Sequence, residues 1–177
     1  MVEKRTKDML VGIILGICTA VIGVIAFILR AGKKAEQHRY YDAAYRMIKE
    51  DCLNEAICNK GQKSRREEKL MVYLKWKDYE RQGYVFDPGK GVRIGRDPDK
   101  NDICIREATV SSQHCMLFLH QGSVYLKDIH SSNGTLLKRG LTSVPVQGTV
   151  GILSGDKIIV GGLAIRVTLF KFDMTYM

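Results

Sequence analysis

The chain has 177 residues, of which 45% are hydrophobic and 27% charged, so it has room for one core-forming domain with accessory segments rather than two full domains. Its formal net charge of +9 is spread evenly between residues 1–68 and 69–177. This surplus favours anionic partners, namely phosphopeptides, acidic lipid or nucleic acid, and does not choose among them.

The cysteines and histidines argue against a metal centre. The cysteine count is odd, no CxxC pair occurs, and the four histidines do not supply the ligand spacing of a zinc site. The cysteines are Cys18, Cys52, Cys58, Cys104 and Cys115. We expect reduced, mostly buried thiols in a cytosolic compartment, and neither a metal nor another cofactor.

An apolar segment follows the short tail of residues 1–8. Residues Met9 to Leu29 carry no charge, and a helix of about 21 residues covers the ~30 Å of a bilayer core. The apolar region of a cleaved signal peptide is shorter, about 7–15 residues, and ends at a small-residue cleavage site. Here the run closes with Arg30, so a retained transmembrane helix over 9–29 is predicted.

Basic residues flank this span on both sides, with one more on the C-terminal side. They are Lys4, Arg5 and Lys7 before the span and Arg30, Lys33, Lys34 and Arg39 after it. The positive-inside rule therefore predicts a single-pass protein of the cell membrane whose C-terminal portion is cytoplasmic.

Small residues recur every fourth position within the span, at Gly12, Gly16 and Ala20. Such a stripe lets two helix backbones approach closely, which makes a homodimer possible. Small residues are also common in membrane helices without any such role, and the sequence leaves both interpretations open.

Residues 30–68 are predicted to hold a juxtamembrane helix and a linker. Over 35–58 the apolar residues fall on one helical face, comprising Tyr41, Ala44, Tyr45, Ile48 and Cys52. This face can lie on the membrane surface, pair with a second copy or dock on the following domain. From Asn59 to Glu68 the composition is charged and aperiodic, which indicates a solvated linker.

From Lys69 onward the apolar pattern changes to a period of two, which is typical of β-strands. Short runs separated by turn signals, without helices between them, predict a β-sandwich or barrel of about 100 residues. The predicted strands are Leu70–Trp76, Gly83–Phe86, Val92–Gly95, Ile103–Ile105, Cys115–Leu119, Val124–Asp128, Thr135–Leu137, Lys157–Val160 and Leu163–Leu169.

Three polar clusters fall on loops between these strands. Arg96 carries a planar fork of donors that matches a phosphate, whereas a lysine would present a point charge. The hydroxyls of Ser111, Ser112 and Ser132 can donate hydrogen bonds to phosphate oxygens. The amide of Asn133 both donates and accepts, which suits an extended peptide backbone. If the loops meet at one end of the sheets, these side chains form an oxyanion site.

These motifs resemble a forkhead-associated (FHA) domain over about residues 69–170, which leaves 171–177 as a C-terminal tail. The motifs are Gly95-Arg96, Ser111-x-x-His114, Asp128 with Ser131-x-Asn133-Gly134-Thr135, and Leu153-x-x-Gly155-Asp156-x-Ile158. The resemblance implies an all-β fold, a two-sheet sandwich of about 10–11 short strands. It also implies recognition of phosphothreonine in a partner protein or peptide. A chain with one anchor and one such domain looks bacterial.

The resemblance also assigns roles within the loops. Arg96 is the main charged contact, Ser111 contacts the phosphopeptide, and Ser132 approaches the phosphate. Asn133 binds the peptide backbone beside the phosphothreonine. The remaining loop residues are structural: His114 braces the serine loop, Asp128 accepts bracing hydrogen bonds, and Gly95 and Gly134 shape the loops.

Ser112 departs from the family pattern, which often has a basic residue or asparagine at this position. Losing one charge-assisted hydrogen bond, worth about 1.5–3 kcal/mol, weakens binding about tenfold or more. Arg106, Lys138 and Arg139 are candidates to compensate, although solvated loop charges are the simpler interpretation of Lys138 and Arg139.

A phosphate-independent scaffold, such as an assembly subunit of a secretion apparatus, is the alternative function. Members of this fold used that way usually lack the loop arginine, serine or asparagine, and all three are present here. An enzyme is not expected, because no GxSxG elbow accompanies Ser111 and His114 and no GxxxxGK[ST] motif occurs. Nucleic acid is not expected either, because no helix-turn-helix, zinc finger or basic helix is present.

Overall fold

The structure is a computed structural model that describes residues 2–58, 68–77 and 83–173. Within the helix, the side chains of residues 2–14 and 51–58 lie outside the description, as does most of the predicted linker. The chain divides into two compact units between Arg39 and Tyr40, and each is described by itself.

The first unit is helical. Helix α1 is assigned over Val2–Cys58, so both predicted helical segments are helical and no break separates them. Between Leu15 and Leu29 the apolar side chains are exposed, as shown by Phe27 at 73%. The described helix contains an 18-residue window of mean hydropathy 2.1, none of it buried. By length and composition the helix can cross a membrane, a test that signal sequences near an N-terminus also pass.

The second unit contains a β-sandwich, with eleven strands among its described residues. The strands are β1 (Glu68–Lys75), β2 (Gly83–Phe86), β3 (Val92–Gly95), β4 (Ile103–Cys104), β5 (Cys115–His120), β6 (Ser123–Asp128), β7 (Thr135–Arg139), β8 (Thr142–Pro145), β9 (Thr149–Gly151), β10 (Lys157–Val160) and β11 (Leu163–Asp173). One sheet has the order β2-β1-β11-β10-β7-β8 and the other β4-β3-β5-β6-β9. The pairs are antiparallel except β3–β4, which is parallel. The predicted two-sheet sandwich is confirmed.

The core lies between the two sheets because alternate residues of each strand point inward. Leu74 and Ile165 from the six-stranded sheet and Leu117 and Leu126 from the five-stranded sheet are fully buried in one cluster. This core fixes the strand ends and therefore the positions of the loops between them.

The predicted strand list was incomplete at the sheet edges. Strands β8 and β9 were missed because they are short and largely exposed, so no apolar alternation marks them. Strand β11 was predicted to end at Leu169, with the domain ending at residue 170, and this was too early. The strand continues to Asp173, and Phe172 is buried.

The second part of α1 packs on the outer face of β1 and β11. Of the three alternatives predicted for this apolar face (the membrane surface, a second copy or the following domain), docking on the domain is therefore correct. Ala44 and Ile48 are buried in a cluster with Met71 and Phe172. The ring of Tyr40 packs against the same sheet. The predicted face was partly wrong: Tyr45 is 40% exposed, and Tyr40 and Met47 join the buried face instead. Cys52 lies outside the described side chains.

Candidate functional site

Three loops of the sandwich meet through hydrogen bonds between predicted site residues. The backbone N–H of Arg96, after β3, donates to the carbonyl oxygen of Ser111 at 2.9 Å. The backbone N–H of Ser132, after β6, donates to the hydroxyl oxygen of Ser111 at 2.9 Å. The side-chain amide of Asn133 donates to the carbonyl oxygen of Thr109 at 2.8 Å. Loops far apart in sequence are thus joined at one end of the sandwich.

The guanidinium of Arg96 is free to bind a ligand. Its side chain is exposed, and no hydrogen bond or ion pair joins it to any residue in the described part of the chain. The backbone around it is held on both sides, because its carbonyl oxygen also accepts from the Cys104 thiol at 3.2 Å. A fixed backbone with an unpaired planar fork suits bidentate contact with a phosphate.

Ser111 and Ser132 form a pair of hydroxyls beside Arg96. Their Oγ atoms are 3.4 Å apart, Ser111 is half-buried and Ser132 is exposed. A hydroxyl hydrogen rotates freely, so both groups can turn toward an anion without moving the backbone. The pair can therefore supply two hydroxyl donors next to the loop that carries the arginine.

Ser112 differs from Ser111 in how its hydroxyl is used. It donates to the Oδ2 atom of Asp97 at 3.2 Å, and Lys100 pairs with that carboxylate at 3.1 Å. The Lys100 hydrogen bond and the backbone N–H of Asp99 hold the pKa of Asp97 below its ordinary value. The hydroxyl at the position where the family often has a basic residue is therefore bonded to a carboxylate, which Lys100 also pairs with, and is not a free donor.

Gly95 and Asn101 hold the arginine loop against the serine loop. The Asn101 amide donates to the carbonyl oxygens of Asp97 and Ser112, both at 2.7 Å. A Cβ atom on Gly95 would collide with the Ser112 carbonyl oxygen and lie 2.7 Å from Asn101 Oδ1, so only glycine fits. Sequence reasoning missed Asn101 because a lone asparagine in a polar loop resembles any turn residue.

His114 links the serine loop to the loop after β6. The ring is fully buried. Its Nδ1 atom accepts from the backbone N–H of Ser111 at 3.2 Å, and Nε2 lies 3.2 Å from the Gly134 carbonyl oxygen. A backbone N–H can only donate and a carbonyl can only accept, which assigns the proton to Nε2 of a neutral ring. Both contacts are those expected of a bracing residue, and the bracing role stays a prediction.

Asp128 braces the loop that carries Ser132 and Asn133. Its carboxylate accepts from the Ser131 backbone N–H at 2.8 Å, from the Ser131 hydroxyl at 2.7 Å and from the Thr135 hydroxyl. Burial raises the pKa of Asp128, but these donors outweigh burial and leave the pKa below its ordinary value. Gly134 completes the turn with a φ of +72°, a conformation that glycine adopts without strain.

Arg139 does not belong to the site, and its interpretation as a solvated loop charge was wrong. Its Nε and Nη2 atoms donate to the two carboxylate oxygens of Asp156 at 2.9 and 2.7 Å. Asp156 is 2% exposed, and the Arg139 hydrogen bonds hold its pKa below the ordinary value. The pair joins β7 to the turn before β10, so Arg139 is not available to compensate for Ser112.

Comparison with known proteins identifies the domain. Residues 92–161 match the model of the FHA domain family, and this stretch contains all three loops of the site. The chain contains an FHA domain. FHA domains are phosphopeptide-recognition modules and not enzymes, so the FHA domain of this chain is a binding module.

Relatives of known sequence and structure share this domain. An FHA domain-containing protein of Arabidopsis thaliana is 34% identical over 95 residues, which are 52% of this chain and 24% of the relative. The chain therefore spans about a quarter of that relative's length. The solution structure of the FHA domain of an Arabidopsis thaliana hypothetical protein is 25% identical, with a TM-score of 0.56 over 65% of this chain and 98% of that one.

A bacterial structure is also similar. Mycobacterium tuberculosis EmbR, solved in complex with a low-affinity phosphopeptide, is 26% identical over 55% of this chain and 24% of that chain, with a TM-score of 0.48.

Proposed function

We propose that this chain is a membrane-anchored adaptor whose FHA domain binds phosphothreonine in a partner protein on the cytoplasmic side, within Ser/Thr-kinase signalling. The observation that carries the proposal is the exposed Arg96 guanidinium, which has no partner among the described residues. Its loop is bonded through the backbone to Ser111, a member of the Ser111–Ser132 hydroxyl pair. An unpaired arginine next to two rotatable donors is a site for a dianionic phosphate.

The contacts divide between phosphate and peptide. Arg96 provides the charge, and Ser111 and Ser132 donate from their hydroxyls. Asn133 already gives one amide hydrogen to Thr109, which leaves its Oδ1 atom and second hydrogen for the backbone of the peptide. The Ser112 hydroxyl can donate to a phosphate only after its hydrogen bond to Asp97 breaks. Its contribution to binding is therefore the weakest among the five predicted binding residues.

The anchor confines the domain to the membrane surface. The helix that contains residues 9–29 is long and apolar enough to span a bilayer, and kinases with their ATP act on the cytoplasmic side. Confinement raises the effective concentration of the domain near membrane-bound partners. A homodimer through Gly12, Gly16 and Ala20 would bind doubly phosphorylated partners with avidity, and this stays a prediction.

A peptide titration tests the binding proposal. The full chain, held in nanodiscs, is titrated with a fluorescent phosphothreonine peptide library and its unphosphorylated counterpart. Arg96→Ala is expected to weaken binding at least about tenfold, because a charge-assisted bond is worth about 1.5–3 kcal/mol. The matched control is Arg93→Ala, which removes an exposed arginine of the preceding strand β3 and is expected to bind as the parent does.

Two outcomes would contradict the proposal. A folded chain that binds no phosphopeptide supports the phosphate-independent scaffold instead. Reporter fusions at both ends test the topology, and an external C-terminus rules out the cytoplasmic arrangement.

A further inference from the structure

Four basic side chains form a continuous row across the outer face of the six-stranded sheet. The row consists of Lys138 on β7, Lys157 on β10, Arg166 on β11 and Lys75 on β1. Lys138 pairs in register with Lys157, Lys157 with Arg166, and Arg166 with Lys75. Each has at least one sequence neighbour buried in the core, so these side chains point outward. We call this set the basic row.

Folding alone does not account for the basic row. Like charges directly opposite each other destabilise a sheet, and here three successive pairs of that kind adjoin. Lys138, Lys157 and Arg166 have no ion pair with any residue in the described ranges. An arrangement that costs stability, and in which these three charges are not paired among the described residues, suits an anionic partner.

The surface beside the basic row is partly apolar, and the docked part of α1 covers the neighbouring stretch of β1 and β11. With strands about 4.8 Å apart, the row extends over roughly 14 Å across the sheet. The next outward positions on β7 and β10 are Leu136 and Ile159, which pair with each other, and Leu136 is 41% exposed. Basic side chains next to exposed apolar ones are typical of surfaces that contact a lipid bilayer.

The first residue of the second unit lies next to the basic row. Tyr40 begins the unit, and its ring lies 5.1 Å from that of Tyr73. Tyr73 is two residues before Lys75 on the same face of β1. Ten residues lie between Leu29, the end of the predicted span, and Tyr40, so even an extended connection keeps Tyr40 within ~35 Å of the bilayer.

We propose that the basic row binds the anionic phospholipid headgroups of the membrane that holds the anchor. This rests on the proposed membrane anchoring and not on phosphothreonine binding. The contact orients the FHA domain on the membrane by a second attachment besides the helix. It lies on a sheet face, whereas the phosphopeptide site lies on loops at one end of the sandwich.

Amine labelling measures this contact in the full chain. The protein is placed in nanodiscs of phosphatidylcholine alone or with phosphatidylglycerol, and a water-soluble amine reagent is applied before mass spectrometry. Lys138 and Lys157 are expected to label about fivefold more slowly in the anionic discs, because a cation near an anionic surface gains about that factor. Lys127, exposed on the other sheet, is expected to label equally in both.

Charge reversal supplies matched variants. Lys157→Glu with Arg166→Glu is expected to abolish the protection of Lys138. Arg93→Glu with Lys127→Glu changes the charge equally on the five-stranded sheet and is expected to leave that protection intact. Arg96→Ala is expected to lose peptide binding and keep the protection, which separates the two proposals.

Several results would overturn the inference. Equal labelling in both kinds of disc rules out headgroup binding. Protection that appears only when phosphopeptide or a partner protein is added, whatever the lipid, assigns the row to the partner. A chain that does not copurify with the discs overturns the anchor and the headgroup contact together, while peptide binding is still measured in solution.

Discussion

The hydroxyl oxygen of Ser111 accepts a hydrogen bond from the backbone N–H of Ser132 at 2.9 Å, although the two residues are 21 positions apart. Through this bond the loop before β5 positions the loop after β6. Ser111 therefore acts twice in the proposed site, as a donor to the phosphate and as the acceptor that holds Ser132 in place.

Replacement of the two neighbouring serines by alanine separates these roles. Ser111→Ala is expected to weaken phosphopeptide binding about tenfold or more, because a ligand bond and a bond between loops are lost together. Ser112→Ala is expected to weaken it less than about threefold, since that hydroxyl is bonded to Asp97. Peptide titration of both variants checks this, and an equal or larger loss for Ser112→Ala contradicts the assignment.

Removal of the His114 ring is expected to destabilise the sandwich by about 2–4 kcal/mol. The substitution His114→Ala leaves a cavity and two unpaired backbone groups, on Ser111 and Gly134. Urea unfolding followed by the fluorescence of Trp76, the single tryptophan, measures the loss. The control His120→Ala removes an exposed ring of β5 and is expected to cost about 0.5 kcal/mol or less.

The Arg139–Asp156 pair makes stability depend on pH. Because the folded-state pKa of Asp156 is lowered, its contribution is present above the unfolded pKa of about 3.9 and is lost as pH falls through the folded pKa. The free energy of unfolding is therefore expected to decrease below about pH 4. Asp128, whose pKa is also lowered, contributes with the same sign.

The variant Asp156→Asn tests this dependence. It is expected to lose about 1–3 kcal/mol at pH 7 and to show a shallower decrease in acid, retaining the part due to Asp128. Asp99→Asn changes an exposed aspartate and serves as the control, expected to follow the parent curve. Parallel acid curves for Asp156→Asn and the parent would show that the ion pair does not carry the dependence.

The docked part of α1 is expected to stabilise the FHA domain. Ile48→Ala, in the cluster with Met71 and Phe172, should lower the free energy of unfolding by about 2–5 kcal/mol. Tyr45→Ala, on the exposed side of the same helix, should change it by about 0.5 kcal/mol or less. Unfolding followed at Trp76 distinguishes them, and equal stability of the two variants means that the helix does not support the sandwich.

Regular patterns made much of the fold predictable. Period-two alternation marked nine of the eleven strands, because a buried strand must place an apolar residue inward at every second position. The edge strands β8 and β9 bury little on either face, so no pattern of that kind is required of them. The apolar helical face beginning at Tyr41 was predictable from the sequence, but the surface of β1 and β11 that covers it was not.

The polar contacts were harder to predict because they join residues distant in sequence. Nothing local indicated that Asn101 would hold Ser112 or that Arg139 would pair with Asp156, since both pairings depend on loops brought together by the core. The same holds for the basic row, whose four members come from four strands and meet only through the strand register.

The loop motifs around Arg96 were recognisable from the sequence alone, because residues that bind phosphate must have donor chemistry wherever the chain runs. Which donors are free was decided by the tertiary structure. The Arg96 guanidinium is unpaired within the described residues, whereas the Ser112 hydroxyl donates a hydrogen bond to Asp97. The sequence by itself determines which groups are present, and packing determines which of them remain available, because a hydrogen bond made within the fold competes with the one offered to a ligand.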